Sequence, residues 1–453
     1  MAQTTQPGSY SIEQQIHSLS ELSSPAFGVT SYNTIAELQA YVATVITVAL
    51  GDSTIQGLIG NDWQVVWGPV VWSHNPAAVP AIADNTMVLF YSPSQNQFVV
   101  AIAGTNIDSI YGWFTEDFQV HTTVTWQSVV GTGVTIPSSY ANAAIAQGTF
   151  DGLSALLGML ETNGNTMLVA LQNVLTSTTL KVPAGANVAV AGHSLGGALS
   201  PVLALYMQNL QSWNAGGKVT TIGAWPTAGP TPGESNFASY YAYVVGQTPT
   251  SGQAGLTYTS KYNSLDVVPH AWQSSSIAQI PFIYEPNISQ PSSSSPPETI
   301  TGSLAVGAAL NALNSKNFLG IPTNTYTQVQ PWTSLPGTFG TTTDTAVTSK
   351  LKYIALVLPS ALGPYAPYFT NFVRFVAQLA FQHTTAYTGS ASQSSLLGIQ
   401  AFTAAYQNVK TANNVSGETE EQLHEAALSR AIGVNLSSLE ADAMARAQSA
   451  SSS

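Results

Sequence analysis

Gly192-His193-Ser194-Leu195-Gly196 fits the pattern G-x-S-x-G, in which a serine sits on a strained turn between a strand and a helix. The flanking glycines answer a steric need, because a side chain at either position would collide with neighbouring backbone in so tight a turn. Such a turn pushes the Ser194 oxygen out of the sheet and sets the first N–H groups of the next helix beside it, where they favour negative charge. The chemistry this suits is nucleophilic attack on an acyl carbonyl. As a bare pattern the motif recurs by chance in Gly- and Ser-rich chains. Its context gives it weight here: NVAVA before it has the pattern of a buried strand, GGALSPVLALYMQNL after it reads as a helix rich in Ala and Leu, and Gly197 adds room for close helix packing.

A serine hydroxyl alone is a weak nucleophile, so a histidine must take its proton and a carboxylate must hold that histidine in the right tautomer. Where a G-x-S-x-G turn carries the nucleophile between a strand and a helix, the chain order is serine, acid, histidine. Glu234, Asp266, Glu285, Glu298 and Asp344 are the acids between Ser194 and the later histidines. Asp266 directly follows the strand-like YTSKYN, where a strand's carboxyl end delivers residues to the active edge of the sheet. An Asp that merely opens a turn is the plain alternative. Of the histidines after it, His270 shares the loop of Asp266 and His424 lies among glutamates on a terminal helix; His383, in FQHTTAY with aromatic neighbours, is the candidate general base. His193 is expected to point away from the nucleophile and serve packing. The backbone N–H of Leu195 is one oxyanion donor, and Thr105, in the loop Gly104-Thr105-Asn106 after FVVAIA, is a candidate for a second, although Gly-Thr is also an ordinary loop dipeptide.

These residues need a sheet to hold them. Gln64 to Trp72, Thr86 to Tyr91 and Gln97 to Ala103 read as strands, the last two flanking SPSQN as a hairpin; Lys218 to Gly223 and Leu256 to Asn263 read as further strands. Tyr140 to Leu175 has a helical pattern. The alternation of strands and helices predicts an α/β fold with a largely parallel sheet covered on both faces. Residues 1–60, with IAELQAYVATVITVAL, are expected to be a helical segment packed on a catalytic domain at 61–400; residues 273–349, turning to Ser, Pro and Thr, an insertion or cap; and 401–453 a helical extension, with Thr419 and Gln422 at capping-box spacing, ending in a tail. Gly51-Asp52-Ser53 has the composition of another esterase motif but lies outside the sheet pattern.

The 453 residues include 44% hydrophobic residues, enough for a sizeable core, and no cysteine, which excludes disulfides, thiol catalysis and thiolate metal sites. Charged residues are 7% of the chain, against about 25% in ordinary soluble proteins, and the net charge of −12 leaves no basic stripe for nucleic acid. No apolar run reaches the roughly 20 residues of a membrane helix, so any lipid contact is expected to be peripheral. The opening MAQTTQPGSYSIEQQ lacks a signal-peptide pattern, which leaves a cytosolic chain or one whose leader was removed.

From about Met87 to Tyr387 the chain resembles the class 3 lipases, the fungal-type triacylglycerol lipases of the α/β-hydrolase fold. The resemblance rests on NTMVLFYSPSQNQFVVAIAGTN, IAQGTF, VAVAGHSLGGALS, TIGAWPTAGPTPGESNFASYY, KYNSLDVVPH and QHTTAY, six segments in the family's order. It implies Ser194, Asp266 and His383 as a triad, Thr105 and Leu195 as the oxyanion hole, and NIDSIYGWFTEDF in the place of the family's lid. The departures are a long acid-to-histidine separation (383 − 266 = 117 residues), the absence of disulfides and the helical ends. The activity implied is ester hydrolysis through an acyl-enzyme without metal or organic cofactor, on a long-chain glyceride first, with a carboxylesterase, feruloyl esterase or phospholipase A1 on the same triad next. A hydrolase-fold binding module without turnover is the reading of another class.

Overall fold

The computed structural model describes residues 6–104, 120, 122–277, 279–285, 287–288, 326–351, 366–390 and 392–413. Three helices come first: α1 (Ile12–Glu21), α2 (Ile35–Gly51) and α3 (Ser53–Ile59). Ser11 with Gln14, and Thr34 with Glu37, close reciprocal capping boxes on α1 and α2. Asp52 caps α3 through the N–H groups of Thr54 and Ile55, so the Gly51-Asp52-Ser53 triplet is a helix junction. The bend between α2 and α3 is 73°, and no single helix among the described residues is long and apolar enough to cross a membrane.

Strands β1 (Gln64–Trp72), β2 (Asn85–Ser92) and β3 (Gln97–Ile102) pair antiparallel, with the expected hairpin running from Met87 opposite Ile102 to Ser92 opposite Gln97. From β3 onward the sheet is parallel: β6 (Ala186–His193) beside β3, β7 (Val219–Thr227) beside β6, then β8 (Gly255–Tyr258), β9 (Ser260–Asn263) and β10 (Trp332–Leu335). The order is β1-β2-β3-β6-β7-β9-β10, with β8 on β7. This mostly parallel sheet with helices on both faces is the α/β-hydrolase arrangement.

Three elements differ from the sequence reading. The strand expected over Leu256 to Asn263 breaks at Thr259, whose N–H donates to the Ala224 carbonyl at 2.9 Å. The helical pattern read over Tyr140 to Leu175 opens on a short strand, β5 (Ala144–Ala146), paired with β4 (Thr123–Thr125), and then forms α4 (Gln147–Gly158) and α5 (Met167–Thr176). The first helix ends at Gly158, where Met159 turns extended, and Gly164, with φ +81°, lies in the turn before Thr166 caps the second. In the stretch expected to be an insertion or cap, Trp332–Leu335 is a strand of the central sheet; GSLAVGAALNALN lies outside the described residues, as does the chain beyond 413.

Period-two alternation sends each strand's side chains to two cores. Met87, Leu89, Phe98, Val100, Ile102, Val188 and Val190 join one, with α4, α5, α6 (Leu195–Asn209) and α7 (Ser235–Val245). Val88, Phe90, Val99, Ala101, Ala189 and Ala191 join the other, covered by α1, α2, α3 and a late helix, Gln400–Asn413. The second face is the smaller in side-chain volume at β3 and β6, and α1 lies over it. Lys261 on β9 pairs with Glu13 on α1, and the Gln14 side chain donates to the Gly398 carbonyl at 2.8 Å.

Packing α1 onto this face buries His17 beside Trp225, edge to face at 6.3 Å. Burial lowers the pKa of His17 from 6.5 to about 4. Between these values the unfolded chain binds a proton that the folded chain does not, so stability falls as pH drops through the window and is flat below it. The expected loss attributable to His17 is about 3 kcal/mol between pH 7 and pH 4. Urea midpoints of wild type and His17→Leu at pH 8 and pH 5 check this: the acid-induced drop should be visibly smaller in the variant, and an equal drop in both would rule the effect out.

Candidate active site

Strand β6 ends at His193 and α6 begins at Leu195, so Ser194 occupies the turn between them with φ +61° and ψ −120°. An L residue tolerates this only under constraint. The constraint is visible: the Ser194 N–H donates to the Thr227 carbonyl at 3.0 Å, and the Ser194 carbonyl accepts from Ala198 at 3.0 Å. A Cβ on Gly192 would strike the Gly196 backbone, and one on Gly196 would strike the Ile102 carbonyl, which is the close approach the motif requires.

Asp266 stands on the loop after β9, its own N–H bonded to the Asn263 carbonyl at 2.9 Å. His383 is the last residue of a long helix (Ala366–His383). That helix is fastened by amide and ionic side chains. Gln378 exchanges two hydrogen bonds with the Gly340 backbone at 3.0 and 2.8 Å, Gln382 donates to the Thr338 carbonyl at 2.8 Å, and Arg374 grips Asp344 through two bonds of 2.7 and 2.9 Å. Asp344, one of the five acids in the sequence window, therefore serves that ion pair.

These elements bring the three side chains into one line. The Ser194 Oγ lies 2.7 Å from His383 Nε2, and His383 Nδ1 lies 2.9 Å and 3.1 Å from the two carboxylate oxygens of Asp266. All three are buried, at 3%, 0% and 0% exposure for Ser194, Asp266 and His383, so the hydrogen bonds form out of competition with water. Such a line can move a proton from serine to imidazole and hold the resulting cation against the carboxylate. Leu195, the first residue of α6, presents an N–H with no intrahelical acceptor, next to Ser194. Thr105 and the segment NIDSIYGWFTEDF lie outside the described residues, as do Glu298 and His424. His270 takes no part in these hydrogen bonds; its ring stands edge-on to Tyr262 and Trp332 at 6.3 and 5.9 Å.

Two residues at the site escape a reading of the sequence. Tyr387, one turn beyond His383, donates from its hydroxyl to Asp266 Oδ2 at 2.8 Å and accepts from the Asn263 N–H at 2.7 Å. Burial, and then the charge of Asp266, push its pKa well above 10, which keeps the proton on the donor. With the Val268 N–H at 3.0 Å from Oδ1, Asp266 is held by two donors besides His383. Tyr387→Phe is expected to lower kcat about tenfold with little change in KM, since the carboxylate loses one charge-assisted bond worth ~1.5 kcal/mol or more. Saturation kinetics check this, and a kcat within twofold of wild type would sink it. The second residue is His193. Its position in the motif suggests packing alone, yet its ring lies 4.8 Å from that of His383, centroid to centroid, and is hydrogen-bonded at both nitrogens. Spacing in the sequence carries no sign of either contact, because both depend on where the His383 helix docks.

A mostly parallel α/β sheet whose strand runs through a G-x-S-x-G turn into a buried helix places this chain among the carboxylic ester hydrolases. Residues 99–275 match the model of the lipases (class 3). Comparison with curated protein sequences gave no match. Among solved structures, the crystal structure of M37 lipase is 23% identical with a TM-score of 0.60, covering 89% of this chain and 98% of that one; it shares the fold. Rhizomucor miehei lipase in its propeptide complex is 17% identical with a TM-score of 0.35, over 57% of this chain and 62% of its own. Lipase II from Rhizopus niveus is also 17% identical, with a TM-score of 0.37, over 58% of this chain and 76% of its own.

Proposed function

We propose that the chain hydrolyses carboxylic esters through an acyl-enzyme on Ser194, with His383 as general base and acid and Asp266 as the residue that orients it. The observation that carries the reading is the unbroken hydrogen-bonded line from Ser194 Oγ through His383 to Asp266. In the first half-reaction Ser194 Oγ bonds to the acyl carbon while its proton passes to His383 Nε2. The oxyanion is received by the Leu195 N–H and, by the family resemblance, by Thr105. Collapse breaks the bond to the alcohol, which leaves with the proton from His383. Water then repeats the sequence on the acyl-serine, releasing the acid and returning the proton to Ser194.

For the substrate we propose a long-chain glyceride. Leu195, next to the nucleophile, packs against a buried apolar cluster of Val120, Ala146, Val268, Ala271, Trp272 and Tyr326, which favours hydrocarbon beside it. Hydrolysis of p-nitrophenyl esters over a range of acyl lengths, together with labelling by a fluorophosphonate, tests both parts. Rising turnover toward long chains supports a lipase, and a maximum at acetate or butyrate would instead support a short-chain carboxylesterase. A chain inert toward every ester and toward the probe would make a binding module of the same fold the better account.

A further inference from the structure

His193 is held by two contacts of different kinds. Its Nε2 lies 2.6 Å from the backbone oxygen of His383, and its Nδ1 lies 3.1 Å from Thr227 Oγ1. A carbonyl oxygen only accepts, so Nε2 carries the hydrogen; Nδ1 is then bare and accepts from the Thr227 hydroxyl. Burial keeps the imidazole neutral, and the two bonds then set it in one tautomer, with Thr227 Oγ1 also 3.5 Å from the Gly192 carbonyl. Burial, and next the adjacent His383, keep its pKa well below 6.5, and the other titratable ring within electrostatic reach, His17 on α1, is also held neutral by burial. The edge of Tyr387 closes the remaining side at 5.0 Å.

The acceptor matters as much as the donor. The last carbonyls of a helix have no intrahelical partner, and the carbonyl of His383 is the final one of its helix. It is met by the residue immediately before the nucleophile. We propose that His193 is a positioning residue for His383: its Nε2–H bond to the His383 carbonyl fixes the backbone from which that imidazole hangs relative to the backbone that carries Ser194. The two side chains that must meet at 2.7 Å are thus suspended from a single hydrogen-bonded junction, and Thr227 ties it from the far side by accepting the Ser194 N–H and donating to the His193 ring. This rests on the reading of His383 as the general base.

The test uses three substitutions that differ in where they place a donor. Glutamine carries its amide nitrogen near the Nε2 position, asparagine reaches only the Nδ1 position, and leucine has neither. On a p-nitrophenyl ester, His193→Leu and His193→Asn are expected to lower kcat by roughly 10- to 100-fold, the scale of a slightly misplaced catalytic group, with KM within about twofold of wild type and His193→Gln restoring most of the rate. In a His383→Ala background the same substitutions should cost nothing further, because a residue that acts through His383 has nothing left to position. Should His193→Leu fail to fold, the Gln and Asn pair decides the matter alone. Equal rates in Gln and Asn variants, a loss confined to KM, or an undiminished loss in the His383→Ala background would overturn the proposal. If His383→Ala itself retains wild-type turnover, the underlying reading of His383 fails instead, which is a separate and recognisable result.

Discussion

Ser194→Ala is expected to lower kcat for ester hydrolysis by on the order of 10⁶-fold, the scale seen when a serine nucleophile is removed from such an array. The remaining residues cannot compensate. His383 Nε2, 2.7 Å from the missing oxygen, would have a water to deprotonate, but no acyl-enzyme could form. Folding should survive, because the turn is held by backbone bonds from Ser194 to Thr227 and Ala198 that alanine keeps, and because alanine meets the same φ of +61° as the serine. Steady-state assay on a p-nitrophenyl ester, with fluorophosphonate labelling and a melting curve, would check each part. A variant that melts like wild type and still turns over at about a hundredth of its rate would remove Ser194 from the mechanism.

Asp266→Asn is expected to cost about 10⁴-fold in kcat, for a reason of tautomers and not of bulk. Two donors fix the orientation of the group: the Val268 N–H on Oδ1 and the Tyr387 hydroxyl on Oδ2. An asparagine can serve only one of these donors; the Val268 N–H cannot turn away and the Tyr387 hydroxyl can, so the amide oxygen takes the Oδ1 position and its NH₂ group faces His383 Nδ1. The neutral imidazole then accepts at Nδ1 and carries its hydrogen on Nε2, facing Ser194 with a donor where a base is needed. KM should be much less affected, since the carboxylate lies behind the histidine and away from the acyl group. Rates measured as a function of pH would check the account, and a loss of less than tenfold would show that Asp266 does not govern the tautomer.

Legibility in the sequence tracks how local each feature is. The turn at Ser194 is readable because strand, glycine, serine and helix are contiguous, and the hairpin of β2 and β3 because its strands are buried on both sides and joined by four turn residues. Asp266 and His383 are readable as candidates from chain order and from the scarcity of acids. The break between α4 and α5 is hard to see although Asn163-Gly164 marks it, since apolar residues at helical spacing continue on either side. Strand β10 is hidden for a better reason: Trp332–Leu335 is four residues in a Pro- and Thr-rich stretch, and it becomes a strand only by pairing with β9. The links from His193 and Tyr387 to the hydrogen-bonded line of Ser194, His383 and Asp266 are wholly tertiary. No periodicity in the chain announces that the end of one helix will rest on the end of a strand.

The segment by which the family is recognised, residues 99–275, omits β1, β2 and the helix that ends at His383. It also omits the helices over Val99, Ala101, Ala189 and Ala191, so that portion expressed by itself would present a bare hydrocarbon sheet to water and would lack the histidine that stands beside Ser194. Recognition and autonomy have different borders in this molecule. Any attempt to trim it, transplant its chemistry or fuse it to another protein must respect the outer border, where the first helices and the helix Gln400–Asn413 meet over the sheet, and not the inner one that makes it identifiable.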